Sequence, residues 1–213
     1  MVEWALAAGL GYFIGSFPTA YLLVRWKSRL DIRAVGSGNV GTLNSYEVTG
    51  SKFVGGLVLV ADLLKGMISV LIARLLLGSD FGVGATAGIG AVVGHNFPMW
   101  LGFKGGRGLA TATGVGFMVA PIVVGLWGVL WSFGFSLFRD VNAGNVVATG
   151  ILLGAFVFLS GGVIQSAFLQ EASPVALKLF GISLMTVILL KHVDPIREFL
   201  RARRNLKQVK KDL

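Results

Sequence analysis

The sequence predicts an all-α, polytopic membrane protein of about seven transmembrane helices, with its N-terminus outside and its C-terminus in the cytoplasm. Three observations predict it. Of 213 residues 54% are hydrophobic and only 14% charged, and mean hydropathy is +0.78, outside the balance of a soluble domain. Apolar stretches near the roughly 20 residues that a spanning helix needs recur along the chain. Cations gather in alternate gaps between them, which the positive-inside rule reads as cytoplasmic gaps.

The first stretch, about Trp4 to Val24, carries Gly9, Gly11, Gly15, Ser16 and Pro18 and is followed by Arg25, Lys27, Arg29 and Arg33. No cationic leader precedes it and no small-residue cleavage site follows a short apolar core, so it reads as a retained helix and not a signal peptide. Further spans fall at Phe53 to Leu77 and Gly82 to Trp100. The region from Leu109 to Phe138 is too long for one span and slightly short for two, so it is divided at Pro121. Asn145 to Leu169 and Pro174 to Leu190 complete the count; apolar content alone also permits six spans. The cation-poor gaps lie near Glu3, Asp80, Pro121 and Glu171, and the cationic ones hold Lys52, Lys104, Arg107 and Arg139. With Arg25 to Arg33 and the tail also basic, this alternation requires an odd number of crossings.

Residues 1–213 read as a single membrane domain, with residues 192–213 as a basic cytoplasmic tail. The tail carries Arg197, Arg201, Arg203, Arg204, Lys207, Lys210 and Lys211, and reads as a disordered topology anchor or as a surface lying on anionic lipid. Interior glycines such as Gly84, Gly88 and Gly90 read as close helix packing. Arg74 and Lys178, near helix ends, read as snorkelling to the interface. The stripe Trp127, Trp131, Phe135 reads as a helix face in lipid or packing.

The charge is +9 and the pI about 10.3, but the cations sit in gaps and in the tail, with no soluble domain to carry a nucleic-acid face. Anionic membrane lipids and phosphorylated substrates are the expected partners. With no cysteine and two histidines, neither thiolate chemistry nor a metal or other cofactor is expected.

Polar chemistry is then confined to the interruptions. One runs from Gly94 and His95 through Lys104, Gly105, Gly106, Arg107 and Gly108: glycines leave amides open to a close-approaching anion and the two cations supply charge, a composition that suits phosphate. The other holds Gly36, Ser37, Gly38, Asn39, Gly41, Thr42 and Asn44, dense in donors. Taken alone it is an ordinary turn more often than a site, but both gaps fall on one membrane face. Asp62 and Lys65, three apart, share a helix face and can pair within the membrane, as a site pair or as a structural one.

These motifs, with Asp62-Leu63-Leu64-Lys65-Gly66 between them and Phe103-Lys104-Gly105-Gly106-Arg107-Gly108-Leu109-Ala110-Thr111 at the end, occur in the order and spacing of the bacterial acyl-phosphate:glycerol-3-phosphate acyltransferases, which the chain resembles over nearly its whole length. The resemblance implies transfer of an acyl group from acyl phosphate to the 1-hydroxyl of glycerol 3-phosphate, giving lysophosphatidic acid and phosphate, at the cytoplasmic face of a bacterial cell (plasma) membrane. Acyl phosphate is already activated, so the protein has mainly to align a hydroxyl and stabilise developing negative charge. Lys104, Arg107 and the amides of Gly105, Gly106 and Gly108 are assigned to one phosphate, and the Gly36–Asn44 loop to the other. His95 and His192 are the candidate general bases, against a structural role for either or proton uptake by a substrate phosphate oxygen. Ser37 is a candidate nucleophile, although a role as phosphate donor is favoured because no base stands at a fixed spacing from it.

The chain departs from the family pattern in places. Glu47 stands where an arginine is expected, Arg107 replaces a lysine, and Asn142 and Asn145 occupy serine positions in the linker before the penultimate helix. His192 is followed by Val193 and Pro195, and Glu198 again takes the place of an arginine. An acid near a phosphate loses an attraction and adds a repulsion. A catalytically weakened paralog, and a transporter or binding protein for a phosphorylated or lipid solute, are the alternatives, though no internal repeat supports a transporter.

Overall fold

The computed structural model describes residues 1–209, which form eleven α-helices and no strand. In chain order they are α1 (Val2–Gly15), α2 (Thr19–Ser28), α3 (Thr42–Thr49), α4 (Lys52–Leu77), α5 (Phe81–Asn96), α6 (Leu109–Val119), α7 (Pro121–Phe138), α8 (Val141–Phe158), α9 (Gly161–Ser166), α10 (Pro174–Leu190) and α11 (Val193–Val209). Starts are set by side-chain caps: Ser51, Asp80, Asp140 and Ser173 each accept an amide from the first turn that follows.

The protein is an all-helical, integral membrane, multi-pass chain. Val2–Ser28, Lys52–Leu77, Pro121–Phe138 and Val141–Phe158 are each long and apolar enough to cross a bilayer, and α10 with the start of α11 makes a fifth if that bent pair is one span. Helices α5 and α6 are shorter, with 16 and 11 residues. Pro121 does begin a new helix, at the first position of α7.

Three boundaries differ from the sequence reading, one of them the span read to Trp100, which ends with α5 at Asn96 ahead of Pro98. The first stretch is not one helix: Pro18 cannot continue the ladder, so α1 ends at Gly15 and α2 restarts at Thr19. The stretch read from Asn145 instead starts at Val141, because Asp140 caps it, and ends at Phe158. Asn142 and Asn145 are therefore on the first turns of α8 and not in a linker.

Glycine sets the closest packing. A Cβ at Gly11 or Gly15 of α1 would strike the Ala87 or Ala91 backbone of α5, and one at Gly90 or Gly94 would strike Ala8 or Tyr12. Each helix thus offers a small-xxx-small seam. Gly66 of α4 lies on Thr111 and Gly114 of α6 on Leu63, so α4 is drawn against α6 at the level of Asp62 and Lys65.

Arg74 does not snorkel. Its guanidinium turns inward to donate to the Met118 carbonyl at 3.2 Å and to Gln170 Oε1 at 2.6 Å. Gln170 Nε2 donates to Met118 and Val119 carbonyls at 3.0 and 3.4 Å. These are carbonyls at the end of α6, where the Pro121 break removes the continuing helix, and a cation satisfies them better inside than in the headgroups. The described part of the tail is helical: Phe199 packs edge-on to Phe138 with centroids 6.2 Å apart, and Arg203 lies over both rings. Lys210 and Lys211 lie outside the described residues.

Candidate active site

The Gly36–Asn44 loop is held by its last residue. Asn44, buried, donates through Nδ2 to the carbonyls of Ile32, Val35 and Asn39 at 3.2, 3.2 and 3.0 Å, and its Oδ1 accepts the Ser37 amide at 3.0 Å. Every polar atom of that side chain is committed, so Asn44 shapes the loop and is not a free donor for a substrate. Gly36, at φ +60, has its missing Cβ facing Asn44 Oδ1. Asn44→Ala is expected to cost about 2–4 kcal/mol, because one bond is worth about 1 kcal/mol and buried carbonyls are left unpaired. Thermal unfolding checks this; an unchanged melting temperature with lost activity would return Asn44 to substrate binding.

A second clamp joins the two glycine-rich gaps. Arg33 donates to both Asp31 oxygens, at 2.7 Å for the shorter ion pair, and to the Leu101 carbonyl at 3.2 Å. The Arg33 side-chain hydrogen bonds hold the Asp31 carboxyl at about 2, below its ordinary 3.8. A depressed carboxylate contributes stability above its unfolded value and loses it as pH falls through the folded one. The clamp is therefore expected to persist at pH 5 and to open between about pH 4 and pH 2, seen as an acid-side fall in melting temperature that Asp31→Asn removes.

In the second gap the amides of Gly105 and Gly106 are already spent, donating to the carbonyls of Asn96 and His95 at 3.2 and 3.1 Å. They close the C-terminus of α5 and are not open to phosphate, which corrects that assignment. Gly106 is needed for space: a Cβ there would meet His95 Nε2 and the Val40 carbonyl. Lys104 is exposed and lies outside the cavities described below. The cation that turns in is Arg107, whose guanidinium donates to Asn142 Oδ1 at 2.5 Å. Burial lowers its pKa from the ordinary arginine value while the carboxylates of Glu198, Asp140 and Glu47 oppose that shift, so the departures at 47 and 198 act as counter-charges to Arg107.

Beneath the loops Asp62 pairs with Lys65 and faces His95 without a hydrogen bond to it. Lys65 Nζ lies 2.8 Å from Asp62 Oδ1 and donates at 3.2 Å to the Phe17 carbonyl, which at the α1–α2 break also accepts the Thr19 amide at 3.0 Å. His95 Nδ1 stands 3.7 Å from the same carboxylate oxygen, and all three side chains are buried.

Two adjoining cavities share Asn39 and Arg107 as a common wall. The first, of about 300 Å³, is lined by Asp62, His95, Asn142 and Asn145, with Trp127 and Trp131 on one side. The N-caps and first residues of α3 (Gly41, Thr42) and of α6 (Gly108, Leu109) also reach it, and neither helix has a capping side chain. Their uncapped amides and dipoles favour an anion. The second, of about 280 Å³, is lined by Ser37, Gly38, Gly105, Lys191, Asp194 and Pro195. Lys191, missed in the sequence, supplies its other cation.

His192 is placed elsewhere. Its Nδ1 is 2.8 Å from the Ile188 carbonyl and its Nε2 is 3.3 Å from Asn145 Nδ2. Nδ1–H therefore donates to the helix and Nε2 accepts from the amide, tying α10 to α8 with no ring nitrogen left over and no part in either cavity. The tryptophans are more than a lipid face: Trp127 donates to Thr149 at 3.0 Å and Trp131 stacks on Phe135, and both tryptophans wall the first cavity.

A family model described as glycerol-3-phosphate acyltransferase matches residues 5–202. A glycerol-3-phosphate acyltransferase of Anaeromyxobacter dehalogenans is 36% identical over 203 residues, covering 92% of this chain and 94% of its own length. Another, of Thermotoga petrophila, is 41% identical over 145 residues, 68% of this chain and 73% of its own. The crystal structure of PlsY (YgiH), an integral membrane glycerol 3-phosphate acyltransferase, in its glycerol 3-phosphate form, is similar with a TM-score of 0.76 at 33% identity, covering 94% of this chain and 93% of that one.

Proposed function

The chain belongs to the glycerol-3-phosphate acyltransferase family, and from that premise we propose that it transfers an acyl group from acyl phosphate to the 1-hydroxyl of glycerol 3-phosphate, forming lysophosphatidic acid and phosphate. The observation that carries the donor assignment is a pair of adjoining anion cavities sharing one guanidinium, Arg107. A reaction between two phosphorylated substrates needs such a pair; an acyl thioester donor needs one phosphate site fewer at the reacting centre. The first cavity, which continues through Leu109, Thr113 and Trp127 into an apolar slot along α6, takes the acyl phosphate, and the more polar second one takes glycerol 3-phosphate against Lys191 and Ser37.

The hydroxyl oxygen attacks the acyl carbonyl, a new C–O ester bond forms, and the bond to the phosphate oxygen breaks with its electron pair leaving on phosphate. His95 accepts the hydroxyl proton and passes it to the departing phosphate, Asp62 orients the imidazole, and Lys65 holds Asp62 in place. Arg107 and the amides at the starts of α3 and α6 stabilise the charge that develops. Seven crossings, with both glycine-rich loops on the cytoplasmic side of a bacterial plasma membrane, fit the cation distribution.

The test is a donor comparison on purified protein in lipid. Acyl phosphate is expected to support lysophosphatidic acid formation and acyl thioesters are not. Transfer from thioester alone would overturn the reading.

A further inference from the structure

Beyond the polar cavities a narrow apolar slot runs along α6, between α6 and α7 on one side and α8 and α10 on the other. It opens into the first cavity through Leu109, Thr113 and Trp127, which line both. From Leu109 to Ala120 the rise of α6 gives it a length of about 16 Å, the reach of a medium-to-long hydrocarbon chain. Its walls are side chains such as Val123, Leu184 and Met185, which would place methylenes out of water at a favourable free energy.

The far end is closed by aromatic side chains that cannot easily yield. Phe156 and Phe180 line it, and each packs edge-on to Phe168 at 6.3 Å, while Phe180 also meets Phe81 at 5.8 Å. Gly181 of α10 faces Phe156, and a Cβ built there would fall on the ring, so the ring occupies its position only because residue 181 has no side chain. Behind this end the Arg74–Gln170 pair pins the last carbonyls of α6.

On the acyl-transfer reading above the slot holds the hydrocarbon tail of the donor, and we propose that Phe156, admitted by Gly181, is the stop that sets the longest chain the protein accepts. The proposal rests on the acyl-transfer reading above for its occupant. Phe156 is a specificity-determining residue here, remote from the reacting atoms.

The test uses a series of saturated acyl phosphates from octanoyl to stearoyl with wild type, Gly181→Ala and Phe156→Leu, all in lipid. Wild type is expected to gain in kcat/KM with chain length up to a limit and then fall. Gly181→Ala pushes the ring into the slot and moves the limit shorter, and Phe156→Leu moves it longer. Each methylene denied the slot is worth about fourfold in kcat/KM, so Gly181→Ala should lose roughly fifteenfold on the longest good donor, for two methylenes, and little on octanoyl. If Gly181→Ala fails to fold, Phe156→Leu alone carries the test. The same series of unreactive alkyl phosphates, measured by thermal shift, separates the two readings. A binding limit that moves with the variants while no acyl phosphate is turned over would sink the acyl-transfer reading and leave the slot standing. Wild-type chain-length profiles in the folded variants, for turnover and for binding, would overturn the stop.

Discussion

Arg107→Ala is expected to lower acyl transfer by about 10²–10³-fold, the usual cost of removing one preorganised stabiliser of developing charge, while Lys104→Ala stays within a few-fold of wild type. The two cations are three residues apart in one motif, and composition alone treats them alike. The structure does not: Arg107 forms the wall shared by both cavities and is aimed by Asn142, whereas Lys104 is exposed and lines neither. Arg107→Lys should recover only part of the rate, because an ammonium cannot match the planar fork that reaches a phosphate and Asn142 together. Initial rates, normalised to folded protein by melting temperature, read this out. The reverse ranking of Lys104 and Arg107 would show that the second gap faces the substrates differently.

His95→Gln is expected to reduce kcat by about 10²–10⁴-fold with a much smaller change in KM, the signature of losing proton transfer in the transition state and not ground-state binding. Glutamine keeps a polar side chain near Asp62 and spares the space that Gly106 leaves for the ring. Asp62→Asn should cost less, since it loosens the imidazole without removing it. A His95→Gln variant with near-wild-type kcat would place the proton on a substrate phosphate oxygen instead.

Much of this was legible in the sequence. Hydropathy marked the helices, Pro121 marked the break between α6 and α7, and the two glycine-rich gaps do meet, joined by Arg33 reaching the Leu101 carbonyl. Roles within the gaps were not legible, because they depend on which atoms the backbone has already used. The amides of Gly105 and Gly106 look free in a sequence and are consumed by the end of α5; Asn44 looks like a donor and is spent on its own loop. Asp62 meets His95 only because glycine seams draw α4, α5 and α6 together, a contact that no local spacing encodes. Lys191 had a signal, a cation beside a singled-out histidine, but His192 drew attention from it. Gly108 looks like one more open amide in a sequence, and its φ of +79, which turns the chain into α6 directly after Arg107, is not visible there.

In the proposed mechanism the acyl group passes directly between two substrates held side by side and never rests on the protein. Phosphate release from acyl phosphate alone, followed on the millisecond scale with purified wild-type protein, tests it most directly. Direct transfer gives no release above spontaneous hydrolysis until glycerol 3-phosphate is added, and thereafter phosphate and lysophosphatidic acid in equal amounts. A burst of phosphate equal to the enzyme present, before any glycerol 3-phosphate is supplied, would show an acyl-enzyme, with Ser37 as the first residue to replace, and would contradict the shared-cavity mechanism.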